Sequence, residues 1–410
     1  MDYVDLNPNV TEEQIALKEN VRKFAAEVLR PASLELDKMK AEEAVRKDSV
    51  LWDVLKQLYE NGYHKMLFPA ELGGLGLDPL SLHIAIEELA YGSLGFGGGV
   101  LLAGFAPLMT LMVGNERLIE KYVVPFVNCN DASIISCLAA TEPEHGSDVV
   151  MANTPLFRDP NITKGMRAKR VRDEWIINGQ TAAWVSNGPI ATNAVIHPLI
   201  EPSRGLAGCG AFVIDLDQPG VTKGKPLEKM GQRDLTNCEI YFDDAIVPDE
   251  NMLVGPDLFE GHLDMALAFL NASMGAVFTG MARACYDLAV AYAKERIQGG
   301  KPIIEHTNIR MRLFNMFKKV ELCRAYSRAA FQYAMVTLPP KTEYSILAKT
   351  YTTQACREVG YDAVEIFGGC GIAKEYPIEK LYRDTCLGPI EDGANDTLDL
   401  VACHALFDET

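Results

Sequence analysis

Glu391 and Asp392 stand side by side and are followed at once by Gly393, Ala394, Asn395 and Asp396. A carboxylate carried on a glycine turn can be aimed into a pocket and act there as a general base. The same residues also read as a solvated acidic loop or as the cap of a following helix. Upstream, Glu365-Ile366-Phe367-Gly368-Gly369-Cys370-Gly371 breaks a helical run with glycines. Glycine at such a break lets the backbone turn sharply or lets a ligand approach it closely. The ten cysteines lie singly between Cys129 and Cys403, with no CxxC pair and no Cys/His cluster of zinc-binding spacing. No metal site is therefore expected, and unpaired thiols suit a reducing cytoplasm.

These residues need a scaffold of more than one packed unit, as 410 residues allow. The net charge of −17 argues against nucleic acid or an anionic membrane surface as partner, because neither attracts an acidic protein. The acidic start, Met1-Asp2-Tyr3-Val4-Asp5, lacks the apolar core expected of a secretory signal. From Leu89 to Asn115 no residue is charged, a run long enough to span a bilayer. Gly92, Gly95, Gly97, Gly98, Gly99, Gly104 and Pro107 interrupt it, and no basic residue flanks it. A buried helix pair lining a core or a ligand pocket is expected instead.

Thr11 and Gln14 fit a capping box. Ile15, Val21, Phe24, Ala25 and Val28 then recur at helical spacing, with Pro31 as the stop. Further helices are expected over 51–58, 80–89 and 116–127, with a glycine-rich turn at 69–76. Near Ser133 the texture changes to short β-rich runs at 134–140, 174–178, 181–186, 194–200, 210–215 and 238–242, separated by Gly, Pro, Asn and Asp. Regular βαβ alternation and GxGxxG are both lacking, which argues against a Rossmann sheet. From Asn251 the pattern is helical again, over 258–291, 309–335, 344–367 and 398–407. Three domains follow: helical over 1–132, β over 133–249 and helical over 250–410.

Four motifs now carry a resemblance. They are Ala140-Thr141-Glu142-Pro143 with Gly146-Ser147-Asp148, Trp184-Val185-Ser186-Asn187-Gly188, Lys229-Met230-Gly231-Gln232-Arg233, and the glycine-rich segment Glu365 to Asp384. In order and spacing they resemble the signatures of the acyl-CoA dehydrogenase family of flavoproteins, over nearly the whole chain. The resemblance implies an N-terminal all-α domain, a middle β-barrel domain and a C-terminal four-helix bundle, usually in a homotetramer. FAD would lie between the middle and C-terminal domains, its adenine end touching a neighbouring subunit. The implied chemistry is α,β-dehydrogenation of an acyl-CoA thioester. A carboxylate takes the α-proton, the β-hydrogen leaves as hydride to flavin N5, and an electron-transfer flavoprotein takes the electrons.

By position, Asp392 stands where the family carries its catalytic glutamate before a glycine. Asp is shorter by about 1.5 Å, so three readings stay open. Asp392 is the base with the substrate seated deeper, Glu391 swings in, or the proton chemistry is altered or lost. Leu270 and Asn271 occupy the site of an alternative base and of the Arg that usually follows it. The resemblance places Ala140, Thr141, Trp184 and Ser186 near the flavin ring, and Ser147 at the FAD pyrophosphate or the CoA arm. Arg296 and Gln298 would hold the FAD pyrophosphate and adenine across a subunit boundary, and Gly368 and Gly369 the diphosphate. Glu365, Ala394 and Asp396 replace residues that normally touch FAD, two of them now acidic. Gly393 and the uncharged stretch would border a pocket suited to a bulky, cyclic or branched acyl chain. Two rival readings remain: a nitroalkane-oxidase-like, desulfinase-like or monooxygenase-like chemistry on the same fold, and an inactive homologue serving as a binding or assembly factor.

Overall fold

The computed structural model describes residues 4–408; Met1–Tyr3, part of the acidic start, lies outside the described residues. Helix α1 (Glu12–Phe24) opens with its capping box: the Gln14 amide donates to Thr11 Oγ1 at 3.2 Å and the Thr11 amide to Gln14 Oε1 at 3.1 Å. It does not stop at Pro31. A π turn, Ala25–Leu29, leads into α2 (Arg30–Leu36), with Pro31 in the first turn. The wider turn opens the hydrogen-bond ladder where proline lacks a donor and its ring needs room, so the rod continues.

The N-terminal layer continues with α3 (Ala41–Ala44), α4 (Val50–Glu60), α5 (Pro79–Gly92), α6 (Leu94–Ala103), α7 (Phe105–Val113), α8 (Glu116–Leu118) and α9 (Val124–Asn128). The uncharged stretch is therefore the end of α5 followed by α6 and α7. Leu94–Val113 and the later α10 (Pro256–Glu295) are each long and apolar enough to cross a bilayer, yet 61% and 83% of their most apolar windows are buried inside the protein.

The middle domain is two four-stranded sheets packed on one another, not one closed barrel. One sheet has the order β1 (Ser136–Ala139), β5 (Asn193–Ile196), β6 (Ala211–Asp215) and β10 (Met252–Val254). The other has the order β2 (Arg167–Val171), β3 (Glu174–Gln180), β9 (Ile240–Pro248) and β7 (Val221–Lys223). Only β1–β5 is parallel. Phe212 and Ile214 from one sheet meet Trp175 and Ile177 from the other in a shared core. Residues 252–254, which the helical texture after Asn251 would have claimed, pair instead with β6. The run 181–186 is strand only at β4 (Val185–Ser186), paired with β8 (Asn237–Cys238).

The C-terminal bundle holds α10, α11 (Thr307–Val336), α12 (Thr342–Phe367), α13 (Pro377–Thr385) and α14 (Asn395–Phe407). Helices α10 and α12 run side by side in the same direction: Thr342 Oγ1 donates to Asp264 at 2.7 Å, and Gly275 lies against Ala348. The N-terminal domain is locked on through buried charge. Glu87 and Glu88 on α5 meet Arg283 on α10, Arg328 on α11 and Arg22 on α1, with Arg283 Nη2 2.6 Å from Glu88 Oε2.

Candidate active site

Three of the four motifs reach the turn that carries Asp392, through Ser147, through Gln232 and, behind Gln232, through Asp384. Asp392 has φ +52° and Gly393 φ +97°. The left-handed region is easy for glycine and more open to Asp than to longer side chains, so a short carboxylate suits this backbone. The Ala394 amide donates to Ser147 Oγ at 2.9 Å, tying the turn to the first motif. A Cβ on Gly393 would lie 3.0 Å from Val150 and 3.1 Å from Leu398, so the turn sits tightly between the middle domain and α14.

From below, the turn is held by a lysine that the sequence reading did not single out. Lys349 on α12 is fully buried, and its Nζ donates to Gly393 O at 2.6 Å and to Asn395 Oδ1 at 2.8 Å. Asn395 in turn donates to Thr350 O and exchanges hydrogen bonds with Thr353 Oγ1. Burial pulls the Lys349 ammonium down to about 8, against the attraction of Asp392 and Glu391. A signal was present in the sequence: Lys349 shares a helical stripe with the apolar Ile346 and Cys356, and a lone lysine there must find partners inside.

From above, Glu391 Oε1 accepts from Gln232 Nε2 at 2.8 Å. Burial, then the neighbouring Asp392, pushes Glu391 up to about 7. Burial also raises Asp392, with Lys349 opposing. Asp392 itself is exposed on the turn. The Lys229–Arg233 loop reaches the tryptophan motif as well. Lys229 Nζ donates to Asn237 Oδ1 at 2.5 Å, and Asn237 Nδ2 donates to Ser186 Oγ at 3.2 Å. Trp184 is 63% exposed rather than part of the core. A cleft of about 430 Å³ opens beside it, lined in part by Glu142, His145, Gly146, Thr181 and Tyr241. Ala140 and Thr141 border it through main-chain bonds, Ala140 O accepting from Lys164 Nζ and Thr141 O from the Ala182 amide.

The residues expected at the FAD diphosphate lie on a separate turn from Asp392. Gly368 has φ +60°, and a Cβ on either Gly368 or Gly369 would meet no atom within 4 Å. The turn is an open cradle of bare backbone. Arg296 approaches it closely enough to help lower the neighbouring Cys370 thiol, after the hydrogen bonds from Tyr292 and Tyr376. Gln298 lies on the exposed hairpin beyond Arg296, its carbonyl bonded to His306 Nε2 at 2.9 Å. Glu365 does not confront a diphosphate with a free charge: Arg312 holds it at 2.8 Å. Asp396 stands exposed in the first turn of α14, where the helix dipole favours an anion. A glycine cradle, a nearby guanidinium and a neutralised Glu365 fit a dinucleotide flavin. Leu270 is half-buried against the apolar cluster that includes Val150 and Leu398, below the turn. Asn271 is 1% exposed, and neither amide atom has a hydrogen-bond partner.

Comparison with known proteins fits this arrangement. The chain matches the acyl-CoA dehydrogenase N-terminal, middle and C-terminal domains over residues 11–129, 137–245 and 264–405. It is 30% identical to a cyclohex-1-ene-1-carbonyl-CoA dehydrogenase of Geobacter metallireducens, covering 97% of this chain and 99% of that one. It is 31% identical to the mitochondrial short-chain specific acyl-CoA dehydrogenase of Rattus norvegicus, covering 95% and 89%. The butyryl-CoA dehydrogenase structure from Megasphaera elsdenii superimposes with a TM-score of 0.85 at 27% identity, covering 99% of this chain and 100% of that one. The chain belongs to the acyl-CoA dehydrogenase family. It is an FAD-dependent oxidoreductase acting on CH–CH bonds, and its reaction is dehydrogenation of the acyl-CoA dehydrogenase type.

Proposed function

We propose that this enzyme dehydrogenates an acyl-CoA with a cyclic or branched acyl chain, with Asp392 as the base that takes the α-proton. The carrying observation is the position of Asp392: exposed on a left-handed turn pinned by Lys349 below and by Ser147 beside it. A base so held loses little freedom when it meets its proton. Bound FAD supplies the acceptor for the β-hydrogen, leaving as hydride. Arg296, Gly368 and Gly369 would hold its diphosphate end, and Thr141, Trp184 and Ser186 would border its ring. Leu270, an aliphatic side chain, leaves Asp392 and Glu391 as the acids of this corner. The ring-acyl reading is supported by the Geobacter relative's name and by Gly98 on α6, whose Cβ would meet no atom within 4 Å.

The electron acceptor on this reading is an electron-transfer flavoprotein. The chain would assemble as a homotetramer in the cytoplasm. On α11, Met311, Phe314 and Leu322 share one face and are 57–64% exposed, an apolar stripe suited to a second copy. The test is anaerobic bleaching of the bound flavin by straight, branched and cyclic acyl-CoAs, in wild type and Asp392→Ala. Bleaching that disappears in the variant is expected. Bleaching that persists moves the base elsewhere, and no bleaching by any thioester rejects the reading.

A further inference from the structure

We propose that Gln232 and Glu391 are a positioning pair for the base. Gln232 fixes the Glu391 carboxyl in place, and Glu391, buried beside Asp392, keeps one proton of the Glu391–Asp392 pair, so that the working site carries a single negative charge, on Asp392. The proposal rests on Asp392 being the base.

Gln232 is a middle-domain residue held in an unfavourable backbone conformation, φ +46°, and is 2% exposed. Such a conformation persists only where the surroundings over-determine it. Two hydrogen bonds do so. The Gln232 amide N donates to Asp384 Oδ1 at 2.6 Å, and Nε2 donates to Glu391 Oε1 at 2.8 Å. Asp384 is itself fastened to Lys380 at 2.6 Å. Glu391 is thus tethered, through Gln232, to α13 as well as to its own turn. The side-chain amide of Gln232 donates to one carboxyl oxygen of Glu391, which fixes the group although the bond itself favours the ionised form, and leaves Oε2 to carry a proton.

The charges facing the pair are few. The Lys229 ammonium faces it from the middle domain, that of Lys349 from α12, and Asp384 stands behind Gln232. Neither cation is within 4 Å of Glu391 or Asp392 as an ion pair; both are committed to other oxygens. Lys229 Nζ donates to Leu235 O at 2.6 Å and Asn237 Oδ1 at 2.5 Å, and Lys349 Nζ donates to Gly393 O and Asn395 Oδ1. Two adjacent carboxylates on one turn, with no directly bonded cation, resist ionising together until the pH rises past neutrality. The Glu391 carboxyl, pushed up to about 7, is the one that keeps the proton. The consequence is catalytic. Removing an α-proton builds negative charge on the thioester, and a second anion one residue from the base would oppose it.

The experiment has two arms. In the first, kcat/KM is followed against pH with a thioester that bleaches the flavin. Wild type is expected to lose activity above neutrality, by about tenfold per pH unit. Glu391→Gln keeps an acceptor for Gln232 and is expected to lose that alkaline limb. Gln232→Leu removes a bond that favours the ionised form, and is expected to move the limb to higher pH and lower kcat more than it changes KM. In the second arm, needing no substrate, infrared difference spectra follow the protonated-carboxyl stretch. A band that titrates near neutrality in wild type and loses one carboxyl's intensity in Glu391→Gln is expected, with buried Glu88, also raised to about 7, supplying the remainder. A wild-type protein without the band, or a band of undiminished intensity in Glu391→Gln, overturns the shared proton. An alkaline limb unchanged in Glu391→Gln overturns the positioning role. If the band behaves as stated while no thioester bleaches the flavin, the shared proton stands and the dehydrogenase reading fails.

Discussion

The ammonium of Lys349 and the carbonyl oxygen of Gly393 are joined by a 2.6 Å hydrogen bond that reaches across the bundle to the turn carrying Asp392. Gly393 is in the left-handed region, so its carbonyl does not continue a helical ladder and needs an external donor. Lys349 supplies it and, through Asn395, also fixes the start of α14.

Lys349→Met therefore removes two donors from a buried turn while roughly keeping side-chain volume. It is expected to lower kcat/KM by about a hundredfold through displacement of Asp392, with the far-ultraviolet circular dichroism spectrum retained. Steady-state kinetics beside that spectrum check it. An unchanged kcat/KM would mean that the turn holds its shape without the lysine.

Gly98 offers a test of the acyl-chain reading. It is half-buried on α6, the helix whose Gly99 faces Leu235 and Asn187 next to the Lys229–Arg233 loop. No atom lies within 4 Å of where its Cβ would be, so a leucine fits the fold and takes up free space. Gly98→Leu is expected to reduce kcat/KM for a cyclohexane-ring acyl-CoA by about 10- to 200-fold, the range one or more methylenes command in an apolar pocket. Butyryl-CoA should be little affected. Equal losses for both substrates would place Gly98 away from the acyl pocket.

The interdomain lock gives a stability prediction. Arg283 is fully buried and lies on both Glu87 and Glu88. Arg283→Met leaves two buried carboxylates short of a cation, and breaking a buried pair from one side costs about 3–5 kcal/mol. Urea unfolding should show that loss. Arg117→Met, which removes an exposed partner of Glu250, should change stability by less than about 1 kcal/mol.

How much of this was legible from the residues depends on the distance each feature spans. Capping at Thr11–Gln14 is local and reads directly from the chain. So do the long helices of the C-terminal domain, where apolar spacing persists over many turns. The motif order carried the family and pointed to Asp392. Pro31 misled, because a π turn at Ala25–Leu29 accommodates it, and nothing in the local pattern announces that turn. β10 misled because Met252–Val254 becomes a strand only through pairing with β6, some forty residues earlier. Lys349–Gly393 and Gln232–Glu391 are contacts between distant segments, and composition does not reveal them. Glu365 read as an acid near a diphosphate until Arg312, from another helix, was seen to hold it.

His64 supplies a pH prediction whose sign can be worked out. Its ring is 3% exposed and stacks on Tyr59 at 4.0 Å between centroids, nearly parallel at 1°. Burial, then the nearby Lys65 charge, lowers His64 to about 4 from 6.5. The folded protein thus binds the proton less readily than the unfolded chain. The neutral ring's contribution is fully present above pH 6.5 and is lost as pH falls from 6.5 towards 4. The loss is on the order of 3 kcal/mol at most. His64→Phe keeps an aromatic ring on Tyr59 and removes the titration. Its urea-unfolding free energy should fall less steeply than that of wild type over the same interval. His83 and His197, also buried and lowered, remain in both proteins, so some decline should persist. Identical slopes in the two proteins would show that His64 does not contribute to acid lability.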